Sequence, residues 1–360
     1  MVTCSHSLSA NIEGESVYRL FLNILIHRMN VLGFDICPVL QALIAVAVVG
    51  LLTAISIIKF YNFVTCGYYR ERTKMNGKTV IVTGATGGIG KETARELAKR
   101  GARVIMACRN VDSAKAIRDE IVESAKNENV IVKKLDLSSQ SSIRAFAEDI
   151  VRTEQRLDVL LHNAGTAENK IIKTEDNLEK TMATNHFGPF LLTHLLIDLL
   201  KRSAPSRIVV VASELYRFAS LNLNNLNPTT SWIPPYMYYV SKYANICFTN
   251  ELAQKLEGSG VTANCLHPGM IDSGIWRNVP VPLNWPLKLI IKCFFKTPAQ
   301  GCQTSVFLAC SEEVQNVNGR YFMDCKETTL SRGAMDMSKA KKLWELSEGF
   351  ANLSPTDPKI

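Results

Sequence analysis

The sequence lacks the features of a secreted, disulfide-bonded or metal-binding protein. Its ten cysteines include no Cys-x-x-Cys pair and follow no regular spacing, and its six histidines form no ligand cluster with them. Several of the cysteines lie inside apolar runs, where cysteine behaves as a small hydrophobic residue. The pattern therefore predicts reduced thiols in a cytosolic environment and no metal site.

Concentrated charge is also missing. The 360 residues have a formal net charge of +8, but the basic residues are scattered, and the tightest cluster is Lys339, Lys341 and Lys342. We therefore expect a solvated or membrane-facing surface and no nucleic-acid partner. Hydrophobic residues make up 47% of the chain, which is enough for one large α/β domain with an appendage.

A long uncharged run lies near the N-terminus, where residues 39–58 read VLQALIAVAVVGLLTAISII. Twenty helical residues span about 30 Å, the thickness of a bilayer's hydrocarbon core. A buried core helix is the alternative, but the run precedes the domain pattern. Tyrosines and then several Lys and Arg residues follow it, so the positive-inside rule places the large C-terminal part in the cytosol. We predict a single-pass membrane anchor at residues 39–60, after a segment of unassigned structure at residues 1–38.

From Lys78 onward, short β-branched runs alternate with helical patterns. This alternation is typical of a doubly wound parallel sheet, so we predict an α/β Rossmann fold in one domain over residues 75–350. The predicted strands are Thr79–Thr83, Arg103–Cys108, Val130–Leu135, Leu157–His162, Arg207–Ala212, Thr262–His267 and Arg320–Met323. The predicted helices include Ile89–Arg100, Ser142–Thr153, Leu178–Lys201 and Tyr239–Glu257.

The first predicted strand leads directly into a glycine-rich loop, TGATGGIG, and then into a helix. Gly84, Gly88 and Gly90 let the backbone turn sharply and approach a pyrophosphate. The helix that follows offers free N–H groups and a positive dipole end to that anion. Strand, loop and helix in this order predict a dinucleotide site, and a purely structural turn is the alternative.

The end of the second predicted strand indicates which dinucleotide binds. An NAD site usually has an acidic residue there for the ribose hydroxyls, but this strand is followed by Arg109. Because arginine can pair with a 2′-phosphate, and Lys91 could assist, the sequence predicts NADP(H) as the preferred cofactor and leaves NAD(H) open. Asp136, after the third strand, can reach the adenine amino group or cap a helix.

Tyr238 and Lys242 lie four residues apart in YYVSK, at the start of a helical pattern, and hence on one face. Carbonyl reduction needs a proton donor, and a nearby ammonium favours the phenolate of a tyrosine. Ser213 ends a predicted strand at the carboxyl edge of the sheet, where its hydroxyl can bind a carbonyl oxygen that becomes anionic. A turn cap is the alternative role of Ser213.

Two further segments fall at the same predicted edge, and one further candidate lies in a helical pattern. HNAG follows the fourth strand, and His267-Pro268-Gly269 follows the sixth and forms a rigid turn whose next residues, Met270 to Ser273, could cover a nicotinamide. Asn185 lies inside a helical pattern, where asparagine is unfavourable, so we expect it to bind water or bend the backbone.

TGATGGIG, HNAG, the strand-terminal Ser213, YYVSK and HPG together strongly resemble the short-chain dehydrogenase/reductase family, over roughly Lys78 to Glu348. Longer stretches such as GVTANCLHPG resemble its retinol dehydrogenase and WW-domain oxidoreductase branch, although no WW domain is present. The resemblance implies a catalytic set of Asn185, Ser213, Tyr238 and Lys242. His162 stands where many members have Asn, and we expect this substitution to be tolerated. The predicted cofactor-binding residues are Thr83, Gly84, Gly88, Ile89, Gly90, Arg109, Asp136, Leu137, Asn163, Ala164, Gly165, Tyr238, Lys242, Pro268 and Gly269.

Retinol dehydrogenases of that branch are typically NADP(H)-using, microsomal or mitochondrial, and active on retinoids or lipid aldehydes. We therefore expect interconversion of an apolar aldehyde or ketone and its alcohol, with retinal/retinol first and steroids or other lipid aldehydes next. The expected site is the endoplasmic reticulum membrane, with mitochondrial or lipid-droplet membrane as alternatives. A non-catalytic dinucleotide-binding regulatory or interaction protein of the same fold is the alternative function, and a homodimer is left open.

Two stretches, Leu215–Tyr236 and Ile275–Lys296, are expected to form the variable lip of the site. The second mixes Trp285, Leu289 and other apolar residues with four basic ones. This mixture suits a helix that touches a bilayer beside a hydrophobic pocket, and a helix packed on the core is the alternative.

Overall fold

The computed structural model describes residues 38–228, 234–272, 274–275 and 284–360. The chain divides into two compact units between Val64 and Thr65. Almost all of the segment 1–38, which the sequence left unassigned, lies outside the described residues.

Helix α1, Pro38–Thr65, has 28 residues and belongs to the first unit except for its last residue. Its portion Val39–Thr65 has a mean hydropathy of 2.5 and none of its most apolar window is buried, so this helix is long and apolar enough to cross a membrane. A single charged residue, Lys59, interrupts the apolar sequence. The helix fits a membrane anchor, as the sequence predicted.

The second unit is built on one sheet, whose described strands follow the order β3-β2-β1-β4-β5-β6-β7-β8. Strands β1 to β7 are parallel, and β8 is antiparallel to β7. This arrangement confirms the predicted doubly wound Rossmann fold. The strands are β1 Thr79–Thr83, β2 Arg103–Cys108, β3 Val130–Lys134, β4 Val159–His162, β5 Ser206–Val211, β6 Val261–His267, β7 Tyr321–Met323 and β8 Lys326–Glu327.

Helices connect the strands and cover both faces of the sheet. A π-helical segment, Ala183–Phe187, joins the short helix Lys180–Met182 to the helix Gly188–Arg202, and 3₁₀ turns occupy Glu214–Phe218 and Arg332–Met335. The helices are α2 Gly88–Lys99, α3 Val111–Ala125, α4 Gln140–Thr153, α5 Lys180–Met182, α6 Gly188–Arg202, α7 Pro234–Lys255, α8 Asn284–Phe294, α9 Pro298–Gly301, α10 Gln303–Cys310 and α11 Met337–Phe350.

Side chains that alternate along each strand feed two separate cores. In β1, Ile81 joins a core that includes Phe190 of α6 and Trp344 of α11. Its neighbours Val80 and Val82 join a core on the opposite face with residues of α2, α3 and α10. Burial on both faces explains why the strands are continuous apolar runs rather than alternating ones.

Both ends of the second unit are fastened to its body. The Tyr69 ring packs edge-on against Phe307 at 5.6 Å, and its backbone N–H donates to Gln303 at 3.2 Å. Near the C-terminus, Arg144 of α4 pairs with both carboxylate oxygens of Asp357 at 2.8 and 2.9 Å. These contacts extend the packed structure beyond the predicted bounds of 75 and 350.

Candidate active site

The glycine loop forms a close backbone approach at the carboxyl end of β1. Gly84 has φ of +69°, and a Cβ built on it would lie 2.9 Å from the Cα of Ala164. A Cβ on Gly90 would lie 2.4 Å from the carbonyl oxygen of Gly84. The N-cap of α2 is Gly87, which has no side chain to cap the first turn. The loop thus has no room for a Cβ at Gly84 or Gly90, and the uncapped first turn of α2 offers backbone N–H groups of the kind that bind a pyrophosphate.

Thr83 and Asn163 tie the ends of β1 and β4 together. The Thr83 hydroxyl accepts from the backbone N–H groups of Asn163 and Ala164, both at 3.0 Å. The Asn163 amide donates to the carbonyl oxygen of Thr83 at 2.9 Å. The Asn163 amide is therefore engaged within the protein.

The ends of β2 and β3 open into a shared cleft of about 880 Å³, lined by Arg109 and Asp136 among others. Arg109 is exposed. Asp136 forms a tight turn in which its carboxylate accepts from Ser138 N at 2.9 Å, and Ser139 is the residue that caps α4. Arg109 and Asp136, the two residues predicted to contact the adenosine end of a dinucleotide, thus line the same cleft. Asp136 is a turn residue rather than a helix cap.

Tyr238 and Lys242 lie one turn apart on α7, and the Lys242 Nζ is 5.5 Å from the centroid of the Tyr238 ring. Lys242 is buried, and its Nζ donates to the carbonyl oxygen of Val211 at 2.8 Å. Burial lowers the pKa of Lys242 to about 8. Burial raises the pKa of Tyr238 to about 12, which its hydrogen-bond partner Ser213 partly offsets. The phenol is therefore protonated at neutral pH, and desolvation outweighs the expected effect of the ammonium.

Ser213 is buried at the end of β5 and caps the 3₁₀ turn that follows, accepting from Leu215 N at 3.3 Å. The next residue is held by a histidine from the neighbouring strand. The backbone N–H of Glu214 donates to Nδ1 of His267 at 3.2 Å. Burial lowers the pKa of His267 to about 4, so its ring is neutral and Nδ1 is the acceptor. His267 thus fixes the turn that begins at Ser213.

Asn185 lies in the π-helical segment and makes three hydrogen bonds. Its Oδ1 accepts from Thr166 N at 2.8 Å, and its Nδ2 donates to Thr166 O and to Ser241 Oγ, both at 2.9 Å. The predicted helix Leu178–Lys201 is therefore interrupted where the sequence contains an unfavourable asparagine. A π segment accommodates one extra residue per turn and commonly marks functional sites. Asn185 connects the loop after β4 to α7, one residue before Lys242.

Lys296 holds the loop Pro268–Asp272 in place through backbone hydrogen bonds. Lys296 N donates to Met270 O at 2.8 Å, and Asp272 N donates to Lys296 O at 3.1 Å. The buried Lys296 Nζ pairs with Asp324 at 2.5 Å and lies 3.3 Å from a Cβ built on Gly269. Ser273, the last residue of the predicted cover, lies outside the described residues.

Sequence reasoning missed several residues that position this site. His267 was noted as part of a turn, but nothing in the sequence indicates its bond to Glu214. Lys296 is 27 residues from Gly269, so no local pattern connects them. Ser241 stands inside YYVSK, and its spacing of three from Tyr238 was an available signal.

Lys91 pairs with Glu120 at 2.7 Å rather than remaining free beside the loop. His162 is buried with Nε2 2.8 Å from Thr193 Oγ1.

A parallel sheet with a glycine loop, and with polar side chains gathered at its carboxyl edge, defines a dinucleotide-binding oxidoreductase. The family model described as short chain dehydrogenase matches residues 78–282, and the chain belongs to this family. It is 48% identical to retinol dehydrogenase 14 of Mus musculus over 286 residues, which covers 76% of this chain and 86% of that protein. It is 43% identical to retinol dehydrogenase 12 of Mus musculus over 297 residues, covering 82% and 92%. The predicted resemblance to the retinol dehydrogenase branch is confirmed.

Solved structures show the same fold. An uncharacterised protein from Mycobacterium paratuberculosis superposes with a TM-score of 0.63 at 30% identity, covering 78% of this chain and 96% of that one. A short-chain dehydrogenase from Shigella flexneri complexed with NADP gives a TM-score of 0.56 at 25% identity, covering 71% and 100%. The chain is therefore an oxidoreductase of the dehydrogenase class that binds a nicotinamide dinucleotide.

Proposed function

We propose that the protein is an NADP(H)-dependent oxidoreductase that interconverts an apolar aldehyde or ketone and its alcohol, with retinal/retinol as the first substrate pair. The observation that supports this most directly is the convergence of Ser213, Tyr238, Lys242 and Asn185 at one edge of the sheet, beside the glycine loop. The retinol dehydrogenases to which the chain is similar indicate the substrate class, with steroids and other lipid aldehydes as further candidates.

In the proposed reduction, the bound dinucleotide supplies the hydride. The Tyr238 phenol, whose pKa is raised to about 12, holds the proton that the forming alkoxide needs. The Ser213 hydroxyl orients the carbonyl oxygen and stabilises its developing charge. The buried Lys242 ammonium, with a pKa of about 8, favours loss of the phenolic proton as the reaction proceeds. Asn185 keeps the loop after β4 in register with α7.

The preference for NADP(H) rests on the end of β2. The two residues that directly follow this strand, Arg109 and Asn110, are not acidic. Arg109 is exposed, and Asn110 caps α3 by accepting from Ser113 N at 3.1 Å. Lys134 of β3, also exposed, is paired in register with Cys108, the residue before Arg109. Two cations beside one ribose would favour a 2′-phosphate. Thr83, Gly84, Gly88, Ile89, Gly90, Asp136, Leu137, Ala164, Gly165, Pro268 and Gly269 would complete the dinucleotide site.

Helix α1 would anchor the enzyme in the endoplasmic reticulum membrane as a single span, with the catalytic unit in the cytosol. The Lys and Arg residues that follow the apolar run support this orientation. Mitochondrial and lipid-droplet membranes remain the alternatives.

The decisive experiment is to follow NADPH consumption by the detergent-solubilised full chain with all-trans-retinal, and to compare it with Tyr238→Phe. We expect wild-type turnover and a loss of at least about a hundredfold in the variant, because general acid catalysis contributes that much. Cofactor affinity measured separately serves as the control for folding. Equal turnover by the variant would remove Tyr238 as the proton donor, and cofactor binding without turnover of any apolar carbonyl would contradict the proposed function.

A charge change at Arg109 tests the cofactor proposal. We expect Arg109→Glu to raise the KM for NADPH by tenfold or more, because one charge-assisted contact contributes roughly 1.5 kcal/mol or above. The KM for NADH should stay nearly unchanged. Lys115→Glu, which makes the same charge change at an exposed lysine of α3, is the matched control. An unchanged KM for NADPH in Arg109→Glu would contradict the proposed role.

A further inference from the structure

Helix α8 presents a broad apolar face to solvent. Trp285 is 75% exposed and Leu289 is 66% exposed, with Ile290 also exposed beside them. Trp285 and Leu289 are four residues apart and therefore share one side of the helix. Ile291, at 5% exposure, holds the opposite side on the catalytic unit. Contiguous large apolar side chains at such exposure are typical of an interaction surface.

Two lysines border this face. Lys288 and Lys292 are also four residues apart, and both are exposed. The helix sequence, NWPLKLIIKCF, contains no acidic residue. An apolar strip with tryptophan, flanked by lysines whose aliphatic stems can lie along it, is the composition of a helix at a lipid–water boundary.

A second copy of the chain fits this face poorly. A two-fold contact would bring the same patch of both copies together, so Lys288 and Lys292 of both copies would be gathered into one contact. No carboxylate on the helix could compensate that repulsion. A bilayer with anionic headgroups supplies both an apolar phase and negative charge.

The catalytic unit follows the candidate span directly in the sequence. The span ends at Thr65, and the next residue, Cys66, is buried.

The C-terminal end of α8 lies beside the site. Two residues after the helix, Lys296 forms a parallel bridge with Ile271, within the Pro268–Asp272 loop. Met270 of this loop is exposed as well. A lipid surface seated on α8 would therefore lie next to the loop that is predicted from the sequence to cover a nicotinamide.

We infer that α8 is an interfacial helix that binds an anionic bilayer surface, with Trp285, Leu289 and Ile290 at the acyl chains and Lys288 and Lys292 at the phosphates. This second contact orients the catalytic unit so that an apolar substrate reaches the site from the lipid. The orientation of the substrate path rests on the proposed function, whereas the lipid contact does not.

The test uses the full chain in phosphatidylcholine vesicles, with and without a minor fraction of phosphatidylserine. A photoreactive benzoylphenylalanine replaces Leu289 in one protein and Val151 in another. Val151 is an exposed apolar residue of α4, just before β4 and hence at the opposite edge of the sheet. After irradiation, lipid adducts and cross-linked dimers are measured by mass spectrometry, without any need for turnover.

We expect lipid adducts at position 289 and few at 151, with several-fold more at 289 when phosphatidylserine is present. Lys288→Glu combined with Lys292→Glu should abolish that increase. Equal adducts at both positions, no effect of phosphatidylserine, or cross-linked dimers in place of lipid adducts would each overturn the inference. In a protein that also turns over retinal, the double variant should raise the apparent KM for vesicle-borne retinal without lowering kcat. A protein without turnover still gives the adduct result, so failure of the proposed function is distinguishable.

Discussion

At the scale of single residues, the site depends on buried side chains that fix the positions of its turns and loops. His267 accepts the backbone N–H of Glu214 and thereby fixes the turn that presents Ser213. Lys296 supports the loop at Gly269 from beneath, and Asn185 joins the loop after β4 to α7. Each of these side chains is buried, and each has its partner in another segment of the chain.

His267→Leu removes the acceptor for Glu214 N, whereas His267→Asn can offer its Oδ1 near the position of Nδ1. An unsatisfied buried N–H costs about 1–3 kcal/mol. We expect the leucine variant to lose about tenfold or more in kcat for carbonyl reduction and the asparagine variant to retain most of it, with cofactor affinity measured on both. Identical kinetics in the two variants would show that this hydrogen bond does not position Ser213.

The pKa of Lys242, lowered to about 8, predicts a pH profile. Below that value the ammonium is present, and above it the charge that favours proton loss from Tyr238 disappears. We expect kcat for reduction to be level up to about pH 8 and to fall at higher pH. Lys242→Arg, whose guanidinium stays charged, should keep its residual activity constant through this range, and a wild-type profile that is flat to pH 10 would contradict the assignment.

At the scale of elements, most of the sheet is predictable because each central strand is a short β-branched run between helical patterns. The predicted bounds of β1 and β2 agree with the structure, and those of the other strands differ by one or two residues. Strand β8 is the exception, since two exposed residues, Lys326 and Glu327, form a strand only through pairing with β7. The π segment is likewise set by tertiary hydrogen bonds of Asn185, so periodicity alone predicts an unbroken helix there.

Glycine-to-alanine changes in two helices should have opposite signs. In α2, a Cβ at Gly90 would lie 2.4 Å from both Asn163 Nδ2 and Gly84 O, so Gly90→Ala must displace the glycine loop. In α11, a Cβ at Gly349 would meet nothing within 4 Å. We expect Gly90→Ala to lower the free energy of unfolding by about 1–3 kcal/mol and to weaken cofactor binding. Gly349→Ala should raise the free energy of unfolding by up to about 0.5–1 kcal/mol. Denaturant unfolding of both variants measures these changes, and two changes of the same sign would contradict the prediction.

At the scale of the whole molecule, the sequence predicted which segments meet at the carboxyl edge of the sheet, because parallel topology brings the strand ends together. It did not predict the supports beneath that edge, such as Lys296 with Asp324, because these pairs join segments far apart in sequence. The protonation of Tyr238 is also a property of the fold, since burial there outweighs the nearby ammonium.

Buried histidines make the fold sensitive to acid. Burial lowers the pKa of His162 to about 3 and those of His186 and His267 to about 4. Because these values lie below the unfolded value of about 6.5, the stabilisation is complete above pH 6.5 and is lost as the pH falls toward 4. At pH 5 each of these histidines lowers the free energy of unfolding by about 2 kcal/mol. Three such decreases approach the whole free energy of unfolding of a domain.

We therefore expect the free energy of unfolding of the solubilised chain to fall steeply between pH 6.5 and pH 5. His162→Asn, which removes one titrating group next to Thr193, should reduce the slope over that range. A free energy of unfolding that is constant from pH 7 to pH 5 would contradict the inferred neutral state of these rings.

The packing contacts at both ends of the catalytic unit determine where a recombinant chain can be shortened. A recombinant fragment cut at residues 75 and 350 would discard Tyr69, which seals α10, and Asp357, which holds Arg144. The freed surfaces would expose Phe307 and an unpaired guanidinium, and such a fragment invites proteolysis and precipitation. A shortened form of the enzyme for crystallisation should instead begin at Cys66 and retain Ile360, so that only helix α1 and what precedes it are removed.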